Sequence, residues 1–151
     1  MTKTNGFMEA AFAEARAAGA RGEVPIGAVV VHDGEIIGRA GNETRAQNDV
    51  SAHAEILAIR RAAAIICDER LVDADLYVTL EPCTMCAAAI SFARIRRLYY
   101  AAQDPKGGAV DSGVRFYAQA TCHHQPEVYS GFRESEAADM LRAFFQERRE
   151  S

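Results

Sequence analysis

The sequence predicts a single three-layer α/β/α domain, residues 1–151, around a central mixed five-stranded sheet. Helical and β-rich segments follow one another in the order helix, hairpin, helix, strand, helix, strand, with a further short strand and a last helix near the end. The hairpin requires an antiparallel pair of strands. Two later strands are joined by a helix, so they should be parallel through a right-handed crossover. A length of 151 residues suits one hydrophobic core.

The first helix is predicted at the N-terminus because apolar residues recur there at helical spacing. Asn5 is a candidate N-cap, and Gly19 is a candidate end of the helix. The apolar residues are Phe7, Met8, Ala11, Phe12 and Ala15.

A β-hairpin is predicted next. Two β-rich runs, Ile26–His32 and Glu35–Ala40, flank the dipeptide Asp33-Gly34. Asp-Gly is typical of a two-residue hairpin turn.

The second helix is expected after a polar segment in which Asp49 or Ser51 can act as its cap. A buried strand over residues 74–80 follows. Pro82 then fits the first turn of a third helix, where its missing N–H is not needed.

The remaining elements are a strand, a loop, a short strand and a last helix. The strand is predicted over residues 97–102, and Asp-Pro, Gly-Gly and Ser-Gly pairs predict a loop after it. A short strand is expected near Glu127–Tyr129. The last helix, about Ser135 to Arg149, carries apolar residues on one side.

Composition narrows the class of protein. No apolar run reaches the roughly 18 residues of a membrane span, and the N-terminal segment is not typical of a secretory signal, so a cytoplasmic protein without a membrane partner is expected. The net charge of −4 argues against a protein that binds nucleic acid over its whole surface, and no DNA partner is expected. A local basic patch stays compatible with this charge; its candidates are residues 94–97, Lys106, Arg115, Arg142, Arg148 and Arg149.

Cys83 and Cys86 lie three residues apart behind a Glu-Pro pair. Taken alone, this spacing is compatible with a redox pair, half of a structural zinc site or most of a catalytic metal site. At a helix start both side chains share one face, and the helix dipole favours thiolates, the form that binds metal. His53 lies at the predicted start of another helix. The two helices are expected to follow neighbouring strands, so their starts should open at the same sheet edge, where His53 can supply a third zinc ligand.

Glu55 follows two residues after His53. Within a regular helix the two side chains would point about 200° apart, so Glu55 is not expected to be a further ligand. It either complements the helix dipole or acts as a general acid and base beside the metal. The combination H-x-E…P-C-x-x-C, each half at a helix start, is the signature of zinc-dependent nucleobase deaminases.

On these motifs the chain resembles the cytidine/deoxycytidylate deaminase superfamily and, within it, the bacterial tRNA-specific adenosine deaminases. The landmarks of the resemblance include "EVPIGAVVV", "AHAEI", "DLYVTLEPCTMCAAAI", "DPKGGA" and "FFQERR". The "HAE" and "LEPCTMC" motifs indicate the superfamily, and the "EVPIGA" segment and the "FFQERR" tail indicate the narrower group. It implies a cytidine deaminase-like fold and hydrolysis of the wobble adenosine in the anticodon loop of an arginine tRNA to inosine. His53, Cys83 and Cys86 would hold one Zn²⁺ per subunit with water in the fourth position, and Glu55 would move the protons.

The resemblance also implies residues that contact the substrate. Asn42 would bond the base, Ile26 would pack on it, and backbone N–H groups near Ala54 and Cys83 would orient the water and the purine. Residues expected around the anticodon loop are Asp104, Lys106, His123, Phe145 and Arg149. Phe144 and Phe145 lie about 100° apart on a helix, so one can pack inward and the other face RNA.

Three alternatives stay open. The chain could be a free nucleobase or nucleoside deaminase for guanine or cytosine, or a non-catalytic, zinc-stabilised RNA-binding module. Cys122 or its neighbours His123 and His124 could also close the zinc shell and make the site structural. A homodimer is implied by the resemblance alone.

Overall fold

The structure, a computed structural model, describes residues 2–150, with side chains from residue 5 to residue 149. A five-stranded sheet has the order β2-β1-β3-β4-β5, and helices cover both of its faces. The predicted mixed α/β/α fold is confirmed. The elements are α1 (Thr2–Ala20), β1 (Gly27–His32), β2 (Glu35–Gly41), α2 (Ala54–Ile66), β3 (Asp75–Leu80), α3 (Thr84–Phe92), β4 (Arg97–Ala102), a 3₁₀ turn (Phe116–Ala118), β5 (Glu127–Ser130) and α4 (Glu134–Glu150). Among the described residues, every helix is too short or too polar to cross a lipid bilayer.

The pairing of the strands follows the predicted connections. β1 and β2 are antiparallel, and the turn between them places Asp33 at φ 51° and Gly34 at φ 77°. Positive φ at both central residues is typical of a type I′ hairpin turn. β3 and β4 are parallel, as the intervening helix requires, and β5 adds a second parallel pair at the edge of the sheet.

Two hydrophobic cores lie on opposite faces of the sheet. The core below α2 and α3 is built around residues such as Leu57, Leu76 and Ile90. The core on the other face joins α1 to the sheet and to the start of α4, through Phe12, Val29 and Ala137 among others. Each face of the sheet is thus buried by helices, as the near-continuous apolar sequence of β1 and β3 requires.

Both ends of α1 differ from the prediction. α1 begins at Thr2, so Asn5 lies inside the helix and is not its cap. The helix continues through Gly19 to Ala20, and the chain turns at Gly22, whose φ is +86°. The turn needs a residue with positive φ, which a glycine adopts without strain. Gly22, and not Gly19, is the glycine in that position.

The starts of α2 and α3 also differ from the prediction. The N-cap of α2 is His53, and Asp49 accepts hydrogen bonds from the N–H and hydroxyl of Ser51 in a preceding turn. These polar side chains are satisfied locally, which removes them from the capping role. The N-cap of α3 is Cys83, so Pro82 lies outside the helix, where its carbonyl accepts the N–H of Ala109.

Candidate active site

The helices α2 and α3 start at the same edge of the sheet. The expectation that they follow neighbouring strands is wrong, because β1 lies between β2 and β3. β2 and β3 are both antiparallel to β1, however, so they run in the same direction and end at the same edge. The helix that follows each strand therefore begins there.

The N-cap residues of these two helices meet. His53 (φ −75°, ψ 154°) and Cys83 (φ −73°, ψ 176°) both have extended backbones. The Nδ1 atom of His53 lies 3.6 Å from the Sγ of Cys83 and 3.5 Å from the Sγ of Cys86. One ligand atom from each residue lies within 4.8 Å of the other two. Two sulfurs and one imidazole nitrogen at this spacing fit a zinc ion and leave one position of a tetrahedral shell for another group.

The two thiols have different protonation behaviour. A hydrogen bond from Cys86 is the main cause that lowers the pKa of Cys83 to about 4, against the effect of burial and with help from His53. The same contact, together with burial, raises the pKa of Cys86. The cluster therefore carries an anionic sulfur where a cation would be held.

Glu55 lies beside this cluster in the first turn of α2. Its side chain is 4% exposed, and burial raises the pKa of its carboxyl to about 7. With His53 and Cys83 it lines a cavity of about 130 Å³. Because His53 is an N-cap with extended backbone, the 200° separation expected within a regular helix does not apply, and both side chains face the same cavity. The geometry fits a group that takes up and releases protons near neutral pH.

Asn42 forms a hydrogen bond with the first turn of α2. It is 6% exposed, and its Oδ1 accepts the N–H of Ala54 at 2.8 Å. The N–H that was expected to orient water or a purine is thus bonded to Asn42. Asn42 itself is not one of the residues that line the cavity.

A wider groove adjoins the small cavity. Its volume is about 610 Å³, and it shares Ile26, Leu80 and Asp104 with the cavity. Lys106 and Phe145 line its outer part, so four of the predicted substrate contacts lie around one continuous surface. The remaining lining residues are Val24, Ala102, Gln103, Pro105, Ala138, Leu141 and Arg142.

The two phenylalanines of α4 have different environments. Phe145 is 46% exposed and faces the groove. Phe144 is partly buried, and the guanidinium of Arg148 lies 4.8 Å from the centre of its ring. Arg148 also donates a hydrogen bond of 2.6 Å to the carbonyl of Gly22. Phe145 is therefore the ring that is open to a ligand.

Other predicted contacts lie outside the cavity and the groove. His123 and Arg149 are exposed and line neither. Cys122 contacts the Ser91 hydroxyl at 3.7 Å, and its thiol donates to the carbonyl of His124 at 3.2 Å. In the part of the chain that the structure describes, the only group with metal-ligand spacing is formed by His53, Cys83 and Cys86, so the alternative in which Cys122 or a neighbouring histidine closes the shell is wrong.

Two buried carboxylates near the site were not predicted. Glu23 accepts the N–H groups of Arg45 (3.2 Å) and Ala46 (2.8 Å) and so holds the segment between β2 and α2. Glu81 binds the segment after β4 in the same manner. Both are 2% exposed. The available signal is a charged residue in an otherwise apolar stretch, in "GEVPIG" and "TLEPC".

The fold and this site together define a deaminase of the cytidine deaminase-like class. The sequence profile of the MafB19-like deaminase family matches residues 2–149. A tRNA-specific adenosine deaminase of Agrobacterium fabrum (strain C58) is 68% identical over 149 residues, which cover 99% of this chain and 98% of the relative. The chain belongs to the MafB19-like deaminase family and, within it, to the bacterial tRNA-specific adenosine deaminases.

Two further comparisons agree with this assignment. A tRNA-specific adenosine deaminase of Bacillus subtilis (strain 168) is 45% identical, over 99% of this chain and 92% of the relative. A solved structure from work on A-to-I editing by tRNA:A34 deaminases at the wobble position of transfer RNA has a TM-score of 0.88 and 71% identity. That match covers 89% of this chain and 98% of the other.

Proposed function

We propose that this protein hydrolyses the wobble adenosine in the anticodon loop of an arginine tRNA to inosine. The observation that carries the proposal is the small cavity beside Glu55, which adjoins a wider groove lined by Phe145 and Lys106. A deaminase that acts on a base within RNA needs a pocket for the extruded base and an adjoining surface for the nucleotides around it. The names of two relatives, both tRNA-specific adenosine deaminases, support an adenosine in tRNA as the substrate, and the related structure from work on tRNA:A34 deaminases supports the wobble position.

His53, Cys83 and Cys86 would hold one zinc ion per subunit. When bound, zinc in such a site lowers the pKa of a water molecule toward neutrality and so supplies a nucleophile. Glu55 takes a proton from the attacking water on a carboxylate oxygen and delivers it to a ring nitrogen of the purine. It then takes the remaining proton from the new hydroxyl on C6 and gives it to the amino group, which leaves as ammonia as the C6 carbonyl forms, so that water and adenosine give inosine and ammonia.

The groove would bind the nucleotides next to the adenosine. Ile26 packs on the face of the base in the cavity. Asn42 holds the start of α2 in place through its hydrogen bond with the N–H of Ala54 and so keeps Glu55 in position. Phe145 stacks on an extruded neighbouring base, while Asp104 bonds a base or sugar and Lys106 a phosphate. His123 and Arg149, which are exposed outside the groove, contact more distant phosphates.

We also infer that residues 1–151 act as one domain in a cytoplasmic homodimer, with tRNA and not DNA as the nucleic-acid partner. The segment that forms α3, TMCAAAISF, contains no charged residue, and its Phe92 is 69% exposed. Met85 lies about two turns earlier on the same face of the helix and is 36% exposed. An apolar helix face of this kind fits a second copy of the chain better than it fits water.

The substrate is tested with zinc-loaded protein and four substrates in parallel: an arginine tRNA anticodon stem-loop with a wobble adenosine, free adenosine, guanine and cytosine. The expected result is inosine in the RNA and no conversion of the three small molecules. A control stem-loop with guanosine at the wobble position should stay unchanged.

Conversion of guanine or cytosine with the RNA unchanged would contradict the proposal and favour a free-base deaminase. Tight RNA binding without any conversion would instead favour the non-catalytic, zinc-stabilised RNA-binding module.

A further inference from the structure

Glu81 is a buried carboxylate with an unusually complete set of hydrogen-bond donors. It follows β3 directly and is 2% exposed. Its Oε1 accepts the N–H of Asp104 and the hydroxyl of Ser112, each at 2.9 Å. Its Oε2 accepts the N–H groups of Val110 (3.0 Å), Asp111 (2.9 Å) and Ser112 (2.9 Å). One side chain thus binds five donors of a segment that lies 23 to 31 residues further along the chain.

All five donors belong to residues 103–112, which we name the wall loop. Asp104 and Gly107 of this loop line the cavity beside Glu55, and Lys106 lines the adjoining groove. The loop lies so close to the carboxylate that a Cβ at Gly108 would be 2.4 Å from the Cδ of Glu81. The position of the wall loop, and with it one side of the substrate site, therefore depends on Glu81.

The same contacts exclude two other roles for Glu81. Both oxygens are already bonded, one to two donors and the other to three, so neither is available to exchange protons with a substrate. Glu81 is also absent from the group of residues with metal-ligand spacing among the described residues. The role left for Glu81 is to hold the backbone of the wall loop in place. A buried carboxylate is stable only while its donors stay bonded to it, so the loop and the carboxylate fix each other.

We propose that Glu81 is a positioning residue for RNA binding: it holds the wall loop so that Asp104 and Lys106 meet the nucleotides beside the reacting adenosine. This inference rests on the proposed function. The metal ligands and Glu55 lie on the starts of α2 and α3, outside the wall loop. Loosening the loop should therefore weaken binding of the RNA more than the chemical step.

The test is Glu81→Gln. Glutamine has nearly the same shape, but in either orientation its NH₂ group faces backbone N–H donors that now bond an oxygen. The expected result is a KM for the anticodon stem-loop raised about tenfold, a kcat lowered less than about threefold, and one zinc per chain retained. Amide hydrogen exchange of the wall loop should become faster. Ser112→Ala, which removes only the hydroxyl donor, should raise KM by about two- to threefold and is the milder variant if Glu81→Gln does not fold.

Asp75→Asn is the matched control. Asp75 is another buried carboxylate, at the opposite end of β3; it is 8% exposed and bonded through both oxygens to Arg96 at 3.0 Å. This variant should lower the unfolding temperature and leave KM unchanged. An equal rise of KM in Asp75→Asn would show general destabilisation and overturn the proposal.

Two other results would also overturn the proposal: an unchanged KM in Glu81→Gln, or loss of zinc and kcat at constant KM. The exchange measurement needs no substrate, so it tests the loop contact even if the RNA turns out not to be the substrate.

Discussion

His53 and Cys83 occupy the same position in two different helices, the N-cap. At an N-cap the backbone is still extended, and the N–H groups of the first turn have no partner within the helix. Two such positions that face each other at a sheet edge bring imidazole and thiolate together next to positive helix ends, which favour the thiolate. Cys86, one turn into α3, completes the group because i and i+3 share a helix face.

Cys86→Ala is expected to lose both bound zinc and deamination, since two ligands do not hold the ion tightly. Cys122→Ala is the control because it removes a thiol that lies outside the ligand group. Zinc content by metal analysis and inosine formation should both stay at the wild-type level in Cys122→Ala. Full zinc occupancy and activity in Cys86→Ala would refute the ligand assignment.

Glu55→Gln is expected to keep zinc and to lower kcat by about 10²- to 10⁴-fold, the usual contribution of a general acid and base. The amide has the shape of the carboxylate but does not take up a proton from water. Zinc content and single-turnover rates on the stem-loop separate the two effects. Loss of zinc in this variant would mean that Glu55 is itself a ligand.

At the scale of elements, two glycines let helices approach the sheet closely. A Cβ at Gly27 would lie 2.0 Å from the carbonyl oxygen of Ala11 in α1, and a Cβ at Gly38 would lie 2.3 Å from that of Ala58 in α2. Both contacts are with backbone, which does not move aside as a flexible side chain would. The depth at which α2 sits, and hence the position of Glu55, depends on Gly38.

Gly38→Ala is expected to lower the free energy of unfolding by about 1–3 kcal/mol, the usual cost of overpacking a core. It should also lower kcat, because α2 carries Glu55. Gly6→Ala is the control, since a Cβ there meets no atom within 4 Å inside α1. That variant should be neutral or stabilising by up to about 1 kcal/mol. Urea denaturation measures the free energy of unfolding of both variants. An equal loss of stability in Gly38→Ala and Gly6→Ala would contradict the packing argument.

The sequence predicts which helices and strands form better than it predicts where each of them begins and ends. Periodicity and the Asp33-Gly34 turn predict the helices and strands, because these signals are local. The caps of α2 were not predictable, since Asp49 forms hydrogen bonds to Ser51 instead. The strand order was also not predictable, because nothing in β3 itself indicates that β1, rather than β2, pairs with it.

At the scale of the whole molecule, α3 carries two exposed large apolar side chains, Phe92 (69% exposed) and Met85 (36% exposed). We expect Phe92→Asp to convert a dimer to a monomer, because it places a charge at the more exposed of the two large apolar side chains of the proposed interface. Val72→Asp, in the loop before β3 and 58% exposed, is the control and should leave the dimer intact. Analytical ultracentrifugation gives the masses. A wild-type protein that is monomeric at micromolar concentration would contradict the proposed dimer.

In the candidate site, too, the sequence predicts residues that belong to a local motif and does not predict those whose role depends on contacts with distant parts of the chain. The proposed metal ligands and Glu55 belong to a short motif, so the sequence is enough to predict them. The choice between Phe144 and Phe145 depends on how α4 packs against residues more than a hundred positions earlier, as in the bond from Arg148 to Gly22. The role of Glu81 depends on five donors of a distant loop, which no local pattern specifies.

The central claim is hydrolytic deamination of one adenosine in a tRNA, and one measurement tests it most directly. An arginine tRNA transcript is incubated with the zinc-loaded protein in water enriched in the heavy oxygen isotope, and the digested RNA is mapped by mass spectrometry. The expected product is a single inosine, at the wobble position, that carries one heavy oxygen atom, and none with Glu55→Gln. An unchanged tRNA, inosine at other positions, or inosine without the heavy oxygen would contradict the account.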